Sequence, residues 1–494
     1  MPVFVLPAAL VAWPWLWPFT SGPTAVTQPY LVALAAAALL LALWPRARAD
    51  GVRAATAGWL AAALLSAAIA LLQYFRLEAP LHPWVNLSGA GRAFGNLRQP
   101  NQLATLLMIG VLALRAGGQQ ALVAPRHAAW MGALLVTALA ATVSRAGLVE
   151  LLVAAVLVLW WGRGERRAWW PVGGLLAVYA LAALGLPLLV QAGSGSAGHD
   201  VLARLQVDQS RLVLWRNVLH LIALEPWTGW GWGELDYAHY ITLYEGARFA
   251  PILDNAHNLP LHLAVELGVP LALLAFGALA WAVWRGRPWA EPDPGRQLAW
   301  GVLAMIGIHS LVEYPLWYGP FQIAAVLCAW LLWPAGVGAV LPAGGRPAVA
   351  GLVLAAVAYA GWDYHRISQL YLPREQRAAA YRADAMGEAR KSWLYADAVR
   401  FAEVTTRPAT RANAAWLLPE ALRTLHYSPE PRVIVQVIES ATLLGREDLA
   451  LAHLARFRAA FPREYRQWTQ DNRRVREGAR ELLRPSASAA GVDS

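Results

Sequence analysis

The 494 residues include a single cysteine, Cys328, and a single lysine, Lys391, and only 15% of them are charged. A lone cysteine excludes a disulfide framework and a cysteine-based metal cluster, and inside an apolar run it reads as a small apolar filler. With lysine all but missing, arginine is almost the only cation, a bias of genome composition. The formal net charge is +10, yet the arginines are scattered among loops and tail. A dense basic stripe interleaved with aromatic rings is lacking, and this excludes a nucleic-acid partner. Residues 3–19 also lack the charged leader and A-x-A cleavage site of a secretory signal, and Pro14 and Pro18 interrupt them. They read as a retained first span.

What is abundant is apolar surface. At 58% hydrophobic the chain is too apolar for a soluble domain of its size, so a bilayer has to be its main solvent. About eleven runs suit helices crossing about 30 Å of hydrocarbon: 3–19, 28–45, 54–75, 102–115, 127–143, 146–161, 168–190, 258–284, 297–313, 319–334 and 347–362. The expected fold is therefore all-α, a polytopic membrane part over 1–362 followed by a soluble helical domain over 363–494. If the spans alternate, the short loops with Arg46, Arg48 and Arg53, with Arg163, Arg166 and Arg167, and with Arg285, Arg287 and Arg296 share one side. By the positive-inside rule that side is cytoplasmic. The tail and two longer connections, 76–101 and 191–257, then face outward, as expected of a bacterial inner-membrane protein with its site on the periplasmic face.

Long loops are where function concentrates. In 191–257, Leu212, Trp215, Leu219 and Ile222 recur at helical spacing, which predicts an amphipathic helix along the outer membrane surface, closed by a turn at Pro226 and Gly229. Arg211 and Arg216 lie on it. Three further segments place polar groups at the edge of an apolar run: FGNLRQPNQLAT at 94–105, TVSRAG around Arg145, and DNAHNLPLHLAVELG at 254–268. Ionisable groups at such depth are expensive and are functional candidates. Arginine suits a phosphate at a lipid interface, because its planar fork donates two hydrogen bonds and stays charged. The alternative is that Arg145, Arg211 and Arg216 snorkel to headgroups.

His257 could take a proton from a hydroxyl, or could simply cap the eighth span. His257 and His262 are wrongly spaced for a zinc pair, and no Cys or carboxylate cluster completes a metal site. Glu150 and Glu266 are buried partners for an arginine or protonated structural carboxyls. In HSLVEYPLWYGPF at 309–321, Trp317 and Tyr318 suit an aromatic belt, whereas Tyr314 beside Glu313 could orient a sugar or pyrophosphate. The tail segment 445–468 reads as one tetratricopeptide-like hairpin, serving as a docking surface or as a plain bundle.

GNLRQPNQLAT, SRAG, SRLVLWRN with GWGWGEL, AHNLPLHLAVELGVP and HSLVEYPLWY together resemble the Wzy/WaaL superfamily of O-antigen ligases and polymerases. They are most similar to its PglL-type branch, the bacterial O-oligosaccharyltransferases. The resemblance spans about 94–321 and implies a metal-independent, cofactor-free glycosyltransferase. Such an enzyme moves an oligosaccharide from undecaprenyl pyrophosphate to an acceptor hydroxyl, on periplasmic protein Ser or Thr or on lipid A core. It implies His257 as the catalytic residue, Arg145 and Arg211 as pyrophosphate ligands with Arg216 beside them, and substrate contacts from Tyr314 or Tyr318 and from Gln99 or Gln102. A transporter or scaffold is the reading from another class. Against it, the sequence shows no internal repeat, and its polar residues gather at one face.

Overall fold

The computed structural model describes residues 2–88, 92–163, 169–194, 209–333 and 345–482, and every regular element among them is helical. The chain divides into two compact units. The first comprises 1–208, 257–262 and 272–388; the second comprises 209–256, 263–271 and 389–494.

The apolar runs of the first unit fold as α1 (Val5–Leu16), α2 (Thr27–Leu43), α3 (Arg48–Tyr74), α4 (Pro100–Gln119), α5 (Pro125–Ala141), α6 (Arg145–Trp161) and α7 (Trp169–Ser194). Their starts are written in the sequence. Gln99 caps α4 and Ser144 caps α6 through side-chain oxygens, while proline occupies the first helical position of α4 and α5. After α8 (Gln209–Leu224) and α9 (Leu235–Ile241), the eighth run divides into α10 (Leu259–Leu267) and α11 (Val269–Gly286). Then follow α12 (Pro294–Ser310), α13 (Gly319–Leu332) and α14 (Gly345–Ser368), which runs past 362. Helices thus stand at all eleven expected places, and among the described residues five are long and apolar enough to cross a membrane. Arg166, Arg167 and residues 195–208 of the long loop lie outside the described residues.

α4 is the axis of the first unit. It packs on α3, α5, α6 and α12, and Leu103, Leu106, Leu107, Met108 and Ile109 are fully buried. Leu181, Leu184, Leu188 and Leu189 on α7 and Leu273, Leu274 and Trp281 on α11 point outward instead, a face that only lipid can solvate.

In the second unit the tail helices Ala396–Thr406, Ala414–Tyr427, Pro431–Leu443, Glu447–Ala460 and Pro462–Leu482 each pack on the next. In sequence, the loop at 191–257 and the tail are separate segments. The structure instead inserts α9 into the tail's core. The Tyr240 hydroxyl bonds His453 Nδ1 at 2.8 Å, Tyr237 stacks on His426 with centroids 3.7 Å apart, and Arg456 Nε donates to the Ile241 carbonyl at 3.0 Å. Burial holds the His453 imidazole down at about 4, so at neutral pH it is uncharged and can accept the Tyr240 proton.

One expectation needs correction. The eighth run breaks at Gly268 (φ +83°), because the turn after α8 docks there. Trp230 N–H donates to Val265 O at 2.9 Å, Gly231 N–H to Glu266 O at 3.0 Å, and Val269 N–H to Pro226 O at 2.9 Å. A Cβ on Gly229 or Gly268 would meet the opposing backbone, so both glycines serve close approach as well as left-handed φ. α8 forms where expected; it buries Leu214, Asn217, Val218 and Leu221 and leaves Leu212 and Leu219 exposed.

Candidate active site

Three segments of the first unit converge through side chains at helix ends. Each is introduced by a residue in the left-handed region: Arg98 (φ +62°) before Gln99 and α4, Val143 (φ +53°) before Ser144 and α6, and His257 itself (φ +48°) before α10. For a β-branched residue such as Val143 that conformation is an outlier, and each such residue costs of order 1–3 kcal/mol, held only because surrounding packing fixes it.

His257 Nδ1 lies 2.8 Å from Glu313 Oε2. Asn101 Nδ2 donates to Glu313 Oε1 at 3.2 Å, and Ser144 Oγ donates to Asn101 Oδ1 at 2.7 Å. Gly147 N–H in turn donates to Ser144 Oγ at 3.0 Å. The direction of this chain is fixed, because every donor points toward Glu313. A carboxylate only accepts, so His257 Nδ1 carries a proton, and in the neutral imidazole Nε2 is then the acceptor nitrogen. The Glu313 side chain is 10% exposed and that of His257 27%, so the imidazole remains reachable while its partner is shielded.

Around the pair, the Tyr314 ring stands edge-on to His257 at 5.1 Å, and Tyr318 stacks on Tyr314 at 5.9 Å. Tyr314 is therefore the one against the imidazole. Asn258 Nδ2 donates to Leu311 O at 3.0 Å and Asn258 Oδ1 accepts from Leu261 N–H at 3.0 Å, which anchors the entry to α10. His262 is buried edge-on to Trp317 at 4.7 Å.

Arg145, half-buried, is the first residue of α6, directly after Ser144. Helix N-terminus and guanidinium both favour an anion there. Gln99 accepts from Gln102 N–H at 2.7 Å and so caps α4, whereas Gln102 is buried with Oε1 unpartnered among the described residues. The residue of that element that reaches Glu313 is Asn101. Arg211 and Arg216 lie on α8, in the second unit. Among the described residues no group of three or more His, Cys, Asp or Glu could hold a metal ion.

Asn101, Ser144 and Glu313 in its linking part escaped the sequence reading. Glu313 had a usable signal, an acid at the end of an apolar run. Gly147 explains the last letter of SRAG, since a Cβ there would lie 2.7 Å from Ala104 Cβ and 2.9 Å from Leu139 Cδ1. Gly147→Val is expected to push α6 off α4, at about 1–3 kcal/mol of overpacking, and to part Ser144 from Asn101. Thermal unfolding of the purified protein in detergent should show a lowered midpoint; an unchanged midpoint with unchanged activity would show that the helices yield freely.

Three family models match the chain. One described as a protein glycosylation ligase covers 93–114, one described as an O-antigen ligase covers 130–276, and one for the C-terminal part of a virulence factor membrane-bound polymerase covers 297–476. They bear out the resemblance noted from the motifs: the chain is similar to the Wzy/WaaL superfamily, on its PglL-like side. Among curated relatives, the chain is 27% identical over 321 residues to a general O-oligosaccharyltransferase of Acinetobacter baylyi, an alignment covering 59% of the chain and 54% of that protein. It is 24% identical over 246 residues to a ComP-specific O-oligosaccharyltransferase of the same organism, covering 49% and 44%. The chain thus spans about half the length of the relatives it matches.

Proposed function

We propose that the protein transfers an oligosaccharide from undecaprenyl pyrophosphate to the hydroxyl of Ser or Thr in periplasmic proteins, by direct displacement with inversion at the anomeric carbon. The observation that carries this reading is the His257–Glu313 pair. The carboxylate fixes the tautomer that leaves Nε2 as a base, and Asn101 and Ser144 link the pair to the start of α6, where Arg145 stands. His257 takes the proton of the acceptor hydroxyl as its oxygen attacks. Arg145, with Arg211 and Arg216 from α8, binds the pyrophosphate and stabilises the charge that grows on it as it leaves. Tyr314 and one of Gln99 and Gln102 contact the glycan or pyrophosphate. With one base and no carboxylate nucleophile assigned, a single displacement inverts the anomeric centre, and a retaining product would refute the step.

A protein acceptor is favoured by the match to a protein glycosylation ligase and by the names of both relatives. Ligation to lipid A core is the second reading, favoured by the O-antigen ligase match. The deciding experiment supplies purified protein with undecaprenyl-pyrophosphate oligosaccharide and either a pilin-like acceptor or lipid A core, and weighs the products by mass spectrometry. Glycosylated pilin supports the first, glycosylated core the second, and neither product refutes both.

The topology proposed with it has an inner-membrane part of eleven spans and a periplasmic tetratricopeptide-like tail. Because α9 packs in the tail's core, loop and tail share one side, which requires an even number of crossings between them. Four serve: the α10 and α11 run, α12, α13 and α14. Alkaline phosphatase fused after Glu388, beyond the end of α14, should be active; an inactive fusion beside an active cytoplasmic reporter at the same junction overturns the orientation.

A further inference from the structure

We infer that Thr105, Glu150 and His309 form a polar brace inside the helix bundle that positions the His257–Glu313 pair. All three are fully buried, on α4, α6 and α12 respectively. The Thr105 hydroxyl lies 2.7 Å from Glu150 Oε1, 2.9 Å from His309 Nδ1 and 3.1 Å from the Asn101 carbonyl. These are the helices whose ends carry the site. Thr105 is one turn beyond Asn101, Glu150 follows Ser144 and Arg145 on α6, and His309 is one turn before Glu313, whose N–H donates to the His309 carbonyl at 2.9 Å.

Apolar packing between helices in lipid is not directional, so it tolerates small slides; a hydrogen bond between helices is not indifferent to them. The alignment the site needs is fine, since Asn101 reaches Glu313 at 3.2 Å, the longest link of its chain. Thr105 has one proton for three contacts. It can donate to only one of them, so at least one of Glu150 and His309 must donate to it, through a protonated carboxyl or an Nδ1–H. The hydroxyl is thus the pivot at which α6 and α12 are both tied to α4. Glu150 Oε2 has no partner among the described residues, so its hold on the bundle runs through Thr105. These are positioning residues, set beneath the groups that would meet substrate.

Thr105→Val keeps the shape and removes the hydroxyl, whereas Thr105→Ser keeps the hydroxyl. Misplacement of catalytic groups by about 1 Å can cost 10²-fold, so in Thr105→Val kcat for transfer should fall by about 10- to 100-fold with the donor KM held, and Thr105→Ser should recover most of it. That arm rests on the transfer reading. A second arm does not: hydrogen–deuterium exchange of the full-length protein should quicken in peptides covering 97–106 and 309–318 in Thr105→Val while tail peptides are unchanged. Should Thr105→Val fail to insert, His309→Asn, which keeps a polar atom near the Nδ1 position, and His309→Leu carry the same comparison. If the wild-type protein transfers nothing the proposed function fails, if His257→Ala transfers at the wild-type rate the base assignment fails, and in either case exchange alone judges the brace. Unchanged exchange at both peptides, or faster exchange spread evenly over the chain, overturns the brace whatever the activity.

Discussion

His257→Ala is expected to abolish transfer while the protein still inserts and still binds the lipid-linked donor. The lost group acts on the acceptor proton, and removing a general base costs about 10²- to 10⁴-fold. The geometry sharpens the expectation through Glu313→Gln. Glu313 accepts from both His257 and Asn101, and a glutamine of the same size has only one acceptor oxygen for these two donors. Either Asn101 loses its partner or the imidazole turns to the tautomer with the proton on Nε2, which is no base toward the acceptor. Glu313→Gln should therefore lower kcat while the donor KM stays near wild type, and Asn101→Ala should follow in the same direction to a smaller extent. Single-turnover transfer at matched membrane levels reads all three. Wild-type rates in His257→Ala would return that residue to a capping role at the start of α10.

The helices were legible because an apolar run long enough to span lipid has few other fates, and because Ser144, Pro100 and Pro125 mark where they begin. The break at Gly268 was not legible. Its cause lies in the turn at Pro226–Gly231, far off in sequence, whose N–H groups need the carbonyls of Val265 and Glu266. On α8 the periodicity was real but ambiguous: apolar residues occupy two sides, and only tertiary contacts decide that Leu214 and Val218 face inward while Leu212 and Leu219 do not. Of the site, His257, Arg145 and Tyr314 could be singled out because they are ionisable or aromatic groups at an interface. Asn101 could not, since a short amide between Gln99 and Gln102 gains its meaning from Ser144 and Glu313, which come from two other helices. Insertion of α9 into the tail escaped for the same reason, because the Tyr240 and His453 partnership joins a loop to a domain read as separate.

Replacing Arg145 and Arg211 by lysine separates phosphate binding from snorkelling. If the two arginines only greet lipid headgroups, lysine should serve almost as well, because a flexible ammonium snorkels too. If each forks onto pyrophosphate oxygens, lysine keeps the charge and loses the two-point geometry, so transfer should fall well below wild type even as expression holds. Arg145 has a particular reason to be sensitive. As the first residue of α6 it is held by the Ser144 cap and by the close seat of Gly147 on Ala104, so its fork starts from a fixed backbone, and a lysine there would gain no freedom to search for the lost second bond. The oriented N–H groups at the helix start would remain in Arg145→Lys, leaving a reduced anion site rather than none. Arg145→Ala should accordingly fall further than Arg145→Lys. Both proposed contacts act on one leaving group, so the double lysine variant should lose much less than the product of the single losses. Initial rates of transfer at saturating acceptor over a range of donor concentrations give the comparison. Near-normal rates in both lysine variants would leave the pyrophosphate site without support, and His257 would then need a different substrate to act upon.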